Sequence, residues 1–292
     1  CHVSPEGTKK YLIKLESGSM IEMVKIPEKK RMTLCISSQA GCALQCTFCA
    51  TGAQGFEKNL SDAEIIGQLW LANFYDSSSP LISNVVFMGM GEPLLNVENV
   101  LSSIDLMLHQ NAYGLSKRRI TLSTSGIVPE INKLAERTDV SLAISLHAAN
   151  NILRDEIVPI NKKYPLNDLL DACKQYLKNQ SKRKTITIEY ILIDGINDGL
   201  DHAEELSELL KQLPSKINLI PFNAFEGSNY LKPSGNRVKR FQTFLQDRGY
   251  VTTIRSTRGD DIMAACGQLV GQVNDRTRRK ERSKNQIKTK AL

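Results

Sequence analysis

The sequence predicts an α/β fold built on a parallel sheet. Short apolar runs alternate with longer segments of helical period from about residue 32 to residue 255. That alternation supplies six β-α units, enough for an open doubly wound sheet or a partly closed barrel. In addition, the residues able to do chemistry recur where the strand runs stop, which is where such folds gather function.

The elements follow in order. Residues 10–15 and 20–25 flank the turn Glu16-Ser17-Gly18-Ser19 and read as a β-hairpin over 9–26. Pro27 and Lys29-Lys30-Arg31 mark a boundary, dividing the chain into a hairpin segment (1–30), a core (31–274) and a tail (275–292). The core opens with a strand at 32–37 and a cysteine-rich loop. A helix starts after Ser61, with Glu64 completing a capping box. Strands are expected at 84–87, 119–123, 140–146, 185–193, 217–221 and 251–255. Helices are expected at 97–108, 129–137, within 151–155, and at 166–177, 203–213 and 237–247. Five groups then converge on one mouth: the cysteine loop, Gly89-Met90-Gly91-Glu92-Pro93, Ser123-Thr124-Ser125-Gly126, Ser145-Leu146-His147 and Pro221-Phe222-Asn223.

Composition narrows the class. With 292 residues, 41% hydrophobic and 24% charged, the chain can bury a sizeable core. It has no apolar run long enough to span a bilayer and no charged segment followed by a signal-type apolar stretch, so a cytoplasmic protein with no membrane partner is expected. It begins at Cys1 and not at Met, so a missing upstream piece is expected. The net charge of +7 is concentrated at the end, where eight Lys and Arg face two acidic residues between 275 and 290. Such a tail reads either as a contact for a phosphate backbone or as a solvated end without a partner.

Four of the seven cysteines fall between positions 35 and 49. Cys42, Cys46 and Cys49 have the spacing C-x3-C-x2-C. Three thiolates this close suit a metal centre, and three ligands leave one coordination position open for chemistry. The alternative is a structural zinc site that recruits Cys35 as a fourth ligand. Taken singly, Gly91-Glu92-Pro93 is a turn, His147 a structural histidine, Cys266 a small buried residue and Glu22 a solvated strand residue.

As a set, these motifs resemble the radical S-adenosylmethionine (SAM) enzymes, and within them the RlmN/Cfr family, which methylates adenosine in RNA. The resemblance rests on Cys42 to Cys49 with Phe48 before the last thiol, the Cys35 to Cys42 stretch, Met88-Gly89-Met90-Gly91-Glu92-Pro93-Leu94, Ser145-Leu146-His147, and the run from Thr257 to Gly267. It implies a partial (β/α)6 TIM-like barrel, a [4Fe-4S] cluster on Cys42, Cys46 and Cys49, and SAM as both methyl donor and radical source. Gly91, Glu92, Ser123, Ser145, His147 and Asn223 match its SAM-contacting positions. It also implies that Cys266 carries the methyl group, that a 5′-deoxyadenosyl radical activates that group for addition to adenine, and that Cys35 is the resolving thiol. Glu22 matches the position of a general base.

Glu92-Pro93 and Ser123 to Gly126 resemble the branch acting at C2 of adenosine in 23S rRNA and tRNA, rather than the antibiotic-resistance branch acting at C8. The further partners implied are a flavodoxin-type electron donor and no second subunit. Phosphate contacts are expected from the tail, Lys117-Arg118-Arg119 and Lys182-Arg183-Lys184. A full-length relative would add a helical N-terminal domain that grips RNA. The competing reading from another class is a non-enzymatic RNA-binding protein with a structural metal.

Overall fold

Seven strands rich in Ile, Val, Leu and Thr pair in parallel, and they do so in the order of the chain. A computed structural model describes residues 1–75, 80–178, 180, 184–255 and 258–277. The chain starts with β1 (His2–Val3), β2 (Lys9–Lys14) and β3 (Met20–Glu28), which run antiparallel. β4 (Arg31–Cys35) pairs antiparallel with β3 and opens the parallel part. β5 (Gln39–Gly41) and β6 (Phe56–Asn59) form a separate two-stranded sheet around the short helix α1 (Ala50–Gln54). The main sheet continues through β7 (Asn84–Phe87), β8 (Ile120–Thr124), β9 (Ser141–Ser145), β10 (Ile186–Leu192), β11 (Ser215–Pro221) and β12 (Thr252–Ile254).

This strand order resolves the choice left open by the sequence. A doubly wound sheet reverses direction at a switch point, whereas a barrel wall adds each strand beside the last. Here β4, β7, β8, β9, β10, β11 and β12 are neighbours in sequence order. Among the described residues the sheet ends at β1 and β12, so the barrel is partial. The connecting helices are α2 (Asp62–Phe74), α3 (Val97–Leu108), α4 (Val128–Arg137), α5 (Asn151–Ile157), α6 (Leu166–Lys178), α7 (Leu200–Leu209) and α8 (Gly235–Asp247). The capping box at Ser61 and Glu64 forms as expected, satisfying two of the backbone donors at the start of α2.

Alternation along the strands separates core from cavity. On β10, Ile186, Ile188 and Tyr190 enter the apolar core, where the Tyr190 ring lies 5.5 Å from Phe241 of α8. Their neighbours Thr187 and Glu189 line the barrel interior. The same period of two puts Cys35, Met88, Ser123, Ser145, Glu189, Ile220 and Arg255 on cavity walls.

The boundary expected at residue 30 is a tight turn in a continuous sheet. β3 runs on through Pro27, which pairs with Met32 of β4. Pairing with β2 ends at Lys25, so the missing N–H of Pro27 costs no ladder bond on that flank. The sequence reading missed β5, β6 and α1 because runs of three to five residues carry too little periodicity to register.

Candidate active site

Two cavities meet inside the barrel. The first is walled by Cys42, Cys46, Cys49, Gly91, Glu92, Ser123, Ser145 and His147, and encloses about 930 Å³ out to its mouth. The second contains Cys35, Asn223 and Asn218. Cys266, Glu189, Arg255 and Met88 line both.

The cysteine loop leaves β5 and is fixed by backbone bonds. Cys42 N–H donates to Gly55 O (2.7 Å), Cys49 N–H to Cys46 O (3.2 Å) and Thr47 N–H to Ile157 O at the end of α5 (3.2 Å). Burial pushes the Cys46 thiol up to about 12, and the neighbouring Cys49 charge adds to it. Burial and mutual repulsion also raise Cys42. A bound cation centre would relieve that repulsion.

Among the described residues no three His, Cys, Asp or Glu side chains close on one point as ligands of a single metal ion do. The three thiols instead line a cavity wall, an arrangement suited to a polynuclear iron–sulfur cluster. Cys35 stands apart from them: the groups acting on it are Cys266, Arg255 and Met88. Cys35 also lines the second cavity and the other three the first, an arrangement that does not favour a four-thiolate zinc site.

The Gly-Glu-Pro loop shapes the opposite wall. Gly91 has φ +98°, and a Cβ there would lie 2.5 Å from Gln39 Cβ. Gln39 Oε1 accepts the Glu92 N–H (2.9 Å). The buried Glu92 carboxylate accepts N–H bonds from Leu94 (3.1 Å) and Ser125 (2.8 Å), tying the ends of β7 and β8 together. Burial nevertheless raises its pKa. Pro93 opens a 3-10 turn that needs no N–H at that position.

Ser123 Oγ and Ser145 Oγ lie 3.3 Å apart. His147 has φ +64°, and its Nδ1 accepts the Ile191 N–H (3.0 Å). Burial drives its pKa down to about 3, so the ring is neutral and Nε2 carries the proton. The ring meets Phe48 edge-on at 4.6 Å. His147 is thus both a structural histidine and a donor on the cavity wall.

Cys266 comes from beyond the last strand and is clamped from several sides. Asn223 Nδ2 donates to Cys266 O (3.3 Å), and Ala50 N–H to Gly267 O (2.8 Å). Thr51 Oγ1 donates to Leu269 O (2.7 Å). Burial and the charge of Cys266 push the Cys35 thiol up to about 12, while Arg255 opposes them. The two thiols are therefore electrostatic neighbours despite their separation in the chain. Arg255 Nη1 lies 4.0 Å from Cys266 Sγ and 3.9 Å from Glu189 Oε2.

Glu22 is buried, as a solvated strand residue would not be. Its carboxylate pairs with Lys10 Nζ (3.0 Å) and accepts the Val270 N–H (2.8 Å). This joins the hairpin to the segment carrying Cys266, and Glu22 lines neither cavity.

The sequence reading missed Glu189, Arg255, Arg154 and Asn197. Glu189 had one visible signal, a charged residue at an inward position of an apolar strand, whereas Arg255, just past the end of β12, had none. Asn197 had none: its side chain bonds His147 O (2.9 Å), Ile191 O (2.6 Å) and the Ile193 N–H (2.7 Å) from a loop. Of the expected phosphate contacts, Arg118 lines the second cavity, while Lys117 and Lys184 pair with Asp139. Lys182, Arg183 and the tail beyond residue 277 lie outside the described residues. Among the described residues no helix is long and apolar enough to cross a membrane.

Comparison with known proteins agrees with this geometry. The radical SAM superfamily model matches residues 36–210. The dual-specificity RNA methyltransferase RlmN of Saccharophagus degradans is 59% identical over 287 residues, covering 96% of this chain and 72% of that protein. The RlmN of Pseudomonas fluorescens is 57% identical over 285 residues, covering 96% and 75%. A crystal structure of a radical SAM methyltransferase from Sphaerobacter thermophilus superposes with a TM-score of 0.87 at 42% identity, covering 91% of this chain and 78% of that one. SuiB of Streptococcus suis bound to S-adenosylmethionine, at 13% identity and a TM-score of 0.55, shares the fold alone and covers 79% of this chain and 52% of its own.

Proposed function

The chain belongs to the radical SAM superfamily and, within it, to the RlmN family of RNA methyltransferases, and from that premise we propose that it methylates C2 of adenosine in 23S rRNA and tRNA with Cys266 as methyl carrier. The observation that carries this reading is the position of Cys266 on both cavities, with three thiols beside one and Cys35 in the other.

The residues of the first cavity fit a [4Fe-4S] cluster with SAM. Cys42, Cys46 and Cys49 would hold the iron, and the wall of Gly91, Glu92, Ser123, Ser145 and His147 would take SAM. When bound, that pair supplies a methyl group and a 5′-deoxyadenosyl radical. Glu92, already fixed by two N–H donors, offers its carboxylate to an ammonium group. The neutral His147 offers an N–H. Asn223 steadies the Cys266 backbone from the second cavity.

The adenine would enter the second cavity, unstacked from its neighbours, because single bases are read most readily when splayed out. Arg31, Arg118, Lys216 and Arg258 on its walls provide positive charge for phosphates. Burial raises the Cys266 thiol pKa and the nearby Glu189 charge adds to it, while Arg255 beside it opposes that rise and so favours the thiolate that must be methylated. Once the base is joined to Cys266 through a methylene by radical addition, the adduct must lose the C2 proton and one electron, the electron returning to the cluster. Glu22 lines neither cavity, so in this reading it receives that proton through a relay, and its bond to Val270 ties it to the Cys266 segment.

Cys35 then attacks Cys266 Sγ. The S–C bond breaks, the carbon takes the electron pair and a proton to become methyl, and a Cys35–Cys266 disulfide remains. Two electrons and two protons from a thiol reductant restore both thiols. A flavodoxin-type donor, a monomeric state and a cytoplasmic location complete the reading.

Mass spectrometry of nucleosides from RNA treated with the anaerobically reconstituted protein and SAM tests it. The expected product is 2-methyladenosine. A product methylated at C8 would move the chain to the other branch, and unmodified RNA alongside intact cluster and SAM cleavage would refute the proposal.

A further inference from the structure

Arg154, on α5, is fully buried at 0% exposure. Its guanidinium is clamped by neutral acceptors: Nε donates to Leu146 O (2.9 Å), Nη1 to Asn161 Oδ1 (2.8 Å), and Nη2 to Ser125 O (2.7 Å) and Ser145 O (3.3 Å). No ion pair with a carboxylate forms among the described residues. The adjacent Asp155 is engaged one step away, by Asn161 Nδ2 (2.6 Å). Dipoles thus satisfy the donors, and the Asp155 charge acts on the guanidinium without touching it. A buried cation without a contacting counter-ion is costly, and a carbonyl clamp alone does not require net charge.

The clamp faces the cysteine wall. Ser125 and Ser145 line the first cavity together with Cys46. The cysteine loop is fixed to the same helix through the Thr47 N–H and Ile157 O. Burial holds the Arg154 pKa down to about 10, against the opposing charges of its neighbours, Asp155 among them, so it is cationic at neutral pH.

We propose that Arg154 is a positioning residue that supplies the fixed counter-charge of the thiolate-ligated cluster. Three thiolates give a [4Fe-4S] centre net negative charge, and reduction adds one more. A permanent cation beside Cys46 stabilises the loaded wall over the empty one, and the reduced centre over the oxidised one. The inference rests on the cluster reading of Cys42, Cys46 and Cys49.

Three variants test it: Arg154→Gln, Arg154→Lys and Asn161→Asp. The last keeps the guanidinium and places a carboxylate at the acceptor of Nη1; it is made together with Asp155→Asn, because Asp155 Oδ1 lies 2.6 Å from the replaced amide nitrogen and two carboxyls there would share one proton. Each is measured for iron and sulfide per chain, for the midpoint potential of the cluster without SAM, and for the melting temperatures of the loaded and empty proteins. Arg154→Gln and Asn161→Asp should shift the potential to more negative values and narrow the gap in melting temperature between loaded and empty protein. Arg154→Lys should stay near wild type in both. Loaded wild type with an unchanged potential in Arg154→Gln and Asn161→Asp overturns the proposal. Equal shifts in the Lys and Gln variants also overturn it, because they would mean that only the clamp matters. If Arg154→Gln fails to fold, Asn161→Asp decides. Wild type that takes up no iron or sulfide removes the cluster reading itself, and this proposal with it.

Discussion

Replacing Gly91 with Ala should damage stability and cofactor binding together. The added Cβ would lie 2.5 Å from Gln39 Cβ, 2.7 Å from its Cγ and 2.8 Å from its backbone N, so rotating a side-chain end cannot relieve the overlap. Alanine at this positive φ costs about 1–2 kcal/mol, and overpacking costs about 1–3 kcal/mol more. Displacing Gln39 also weakens its bond to the Glu92 N–H, worth about 1 kcal/mol. Together these give a loss of about 3–6 kcal/mol.

Gly18 provides the control. Its φ is +87°, but nothing lies within 4 Å of the added Cβ, so Gly18→Ala should cost only the backbone term of about 1–2 kcal/mol. Urea unfolding of the cluster-free proteins measures the difference, and equilibrium dialysis of the reconstituted proteins measures SAM binding. Gly91→Ala should bind SAM at least roughly tenfold more weakly, the equivalent of about 1.4 kcal/mol. If Gly91→Ala is no more destabilised than Gly18→Ala and binds SAM within about twofold of wild type, the close-approach argument for this loop is wrong.

Cys266→Ala should abolish RNA methylation while iron content and reductive SAM cleavage persist; loss of the cluster instead would assign Cys266 to the iron. Cys35→Ala should accumulate RNA covalently bound to protein, visible as a band shift on a denaturing gel, and normal turnover would remove its resolving role. His147 is held near 3 when folded, against 6.5 unfolded, so the unfolded chain takes the proton first as the pH falls. The stability it confers is complete above its unfolded pKa and is lost toward pH 3, with a slope approaching about 1.4 kcal/mol per pH unit. His147→Gln should flatten that slope in the cluster-free protein. Arg255→Met deprives the buried Glu189 of its ion pair and should cost about 2–3 kcal/mol, whereas adding Glu189→Leu should cost less than the two single changes combined. Strict additivity in urea unfolding would show that the pair is uncoupled.

Much of the fold was legible because its strands and helices are long enough to show their periods. The parallel sheet, the capping box at Ser61 and the placement of functional residues at strand ends all follow from local pattern. The short β5, β6 and α1 escaped because they are held by contacts beyond their own residues. Asn197 and Arg154 escaped for a related reason. An Asn in a loop and an Arg on a short helix look solvated until the barrel closes over them.

The sequence by itself determined the ligand spacing of Cys42, Cys46 and Cys49 and the Gly-Glu-Pro loop, because each chemistry depends on neighbours a few residues apart. The family resemblance already set Cys35 apart from those three as the partner of Cys266, 231 residues further along; the tertiary structure adds the proximity, with both thiols on the second cavity. It alone placed Glu189 and Arg255 where the two cavities join and buried Arg154 behind the cysteine wall. The physical reason is that spacing fixes which groups can share one loop. Burial and long-range charge depend on which strands stand side by side, and the order in which the sheet is assembled sets that.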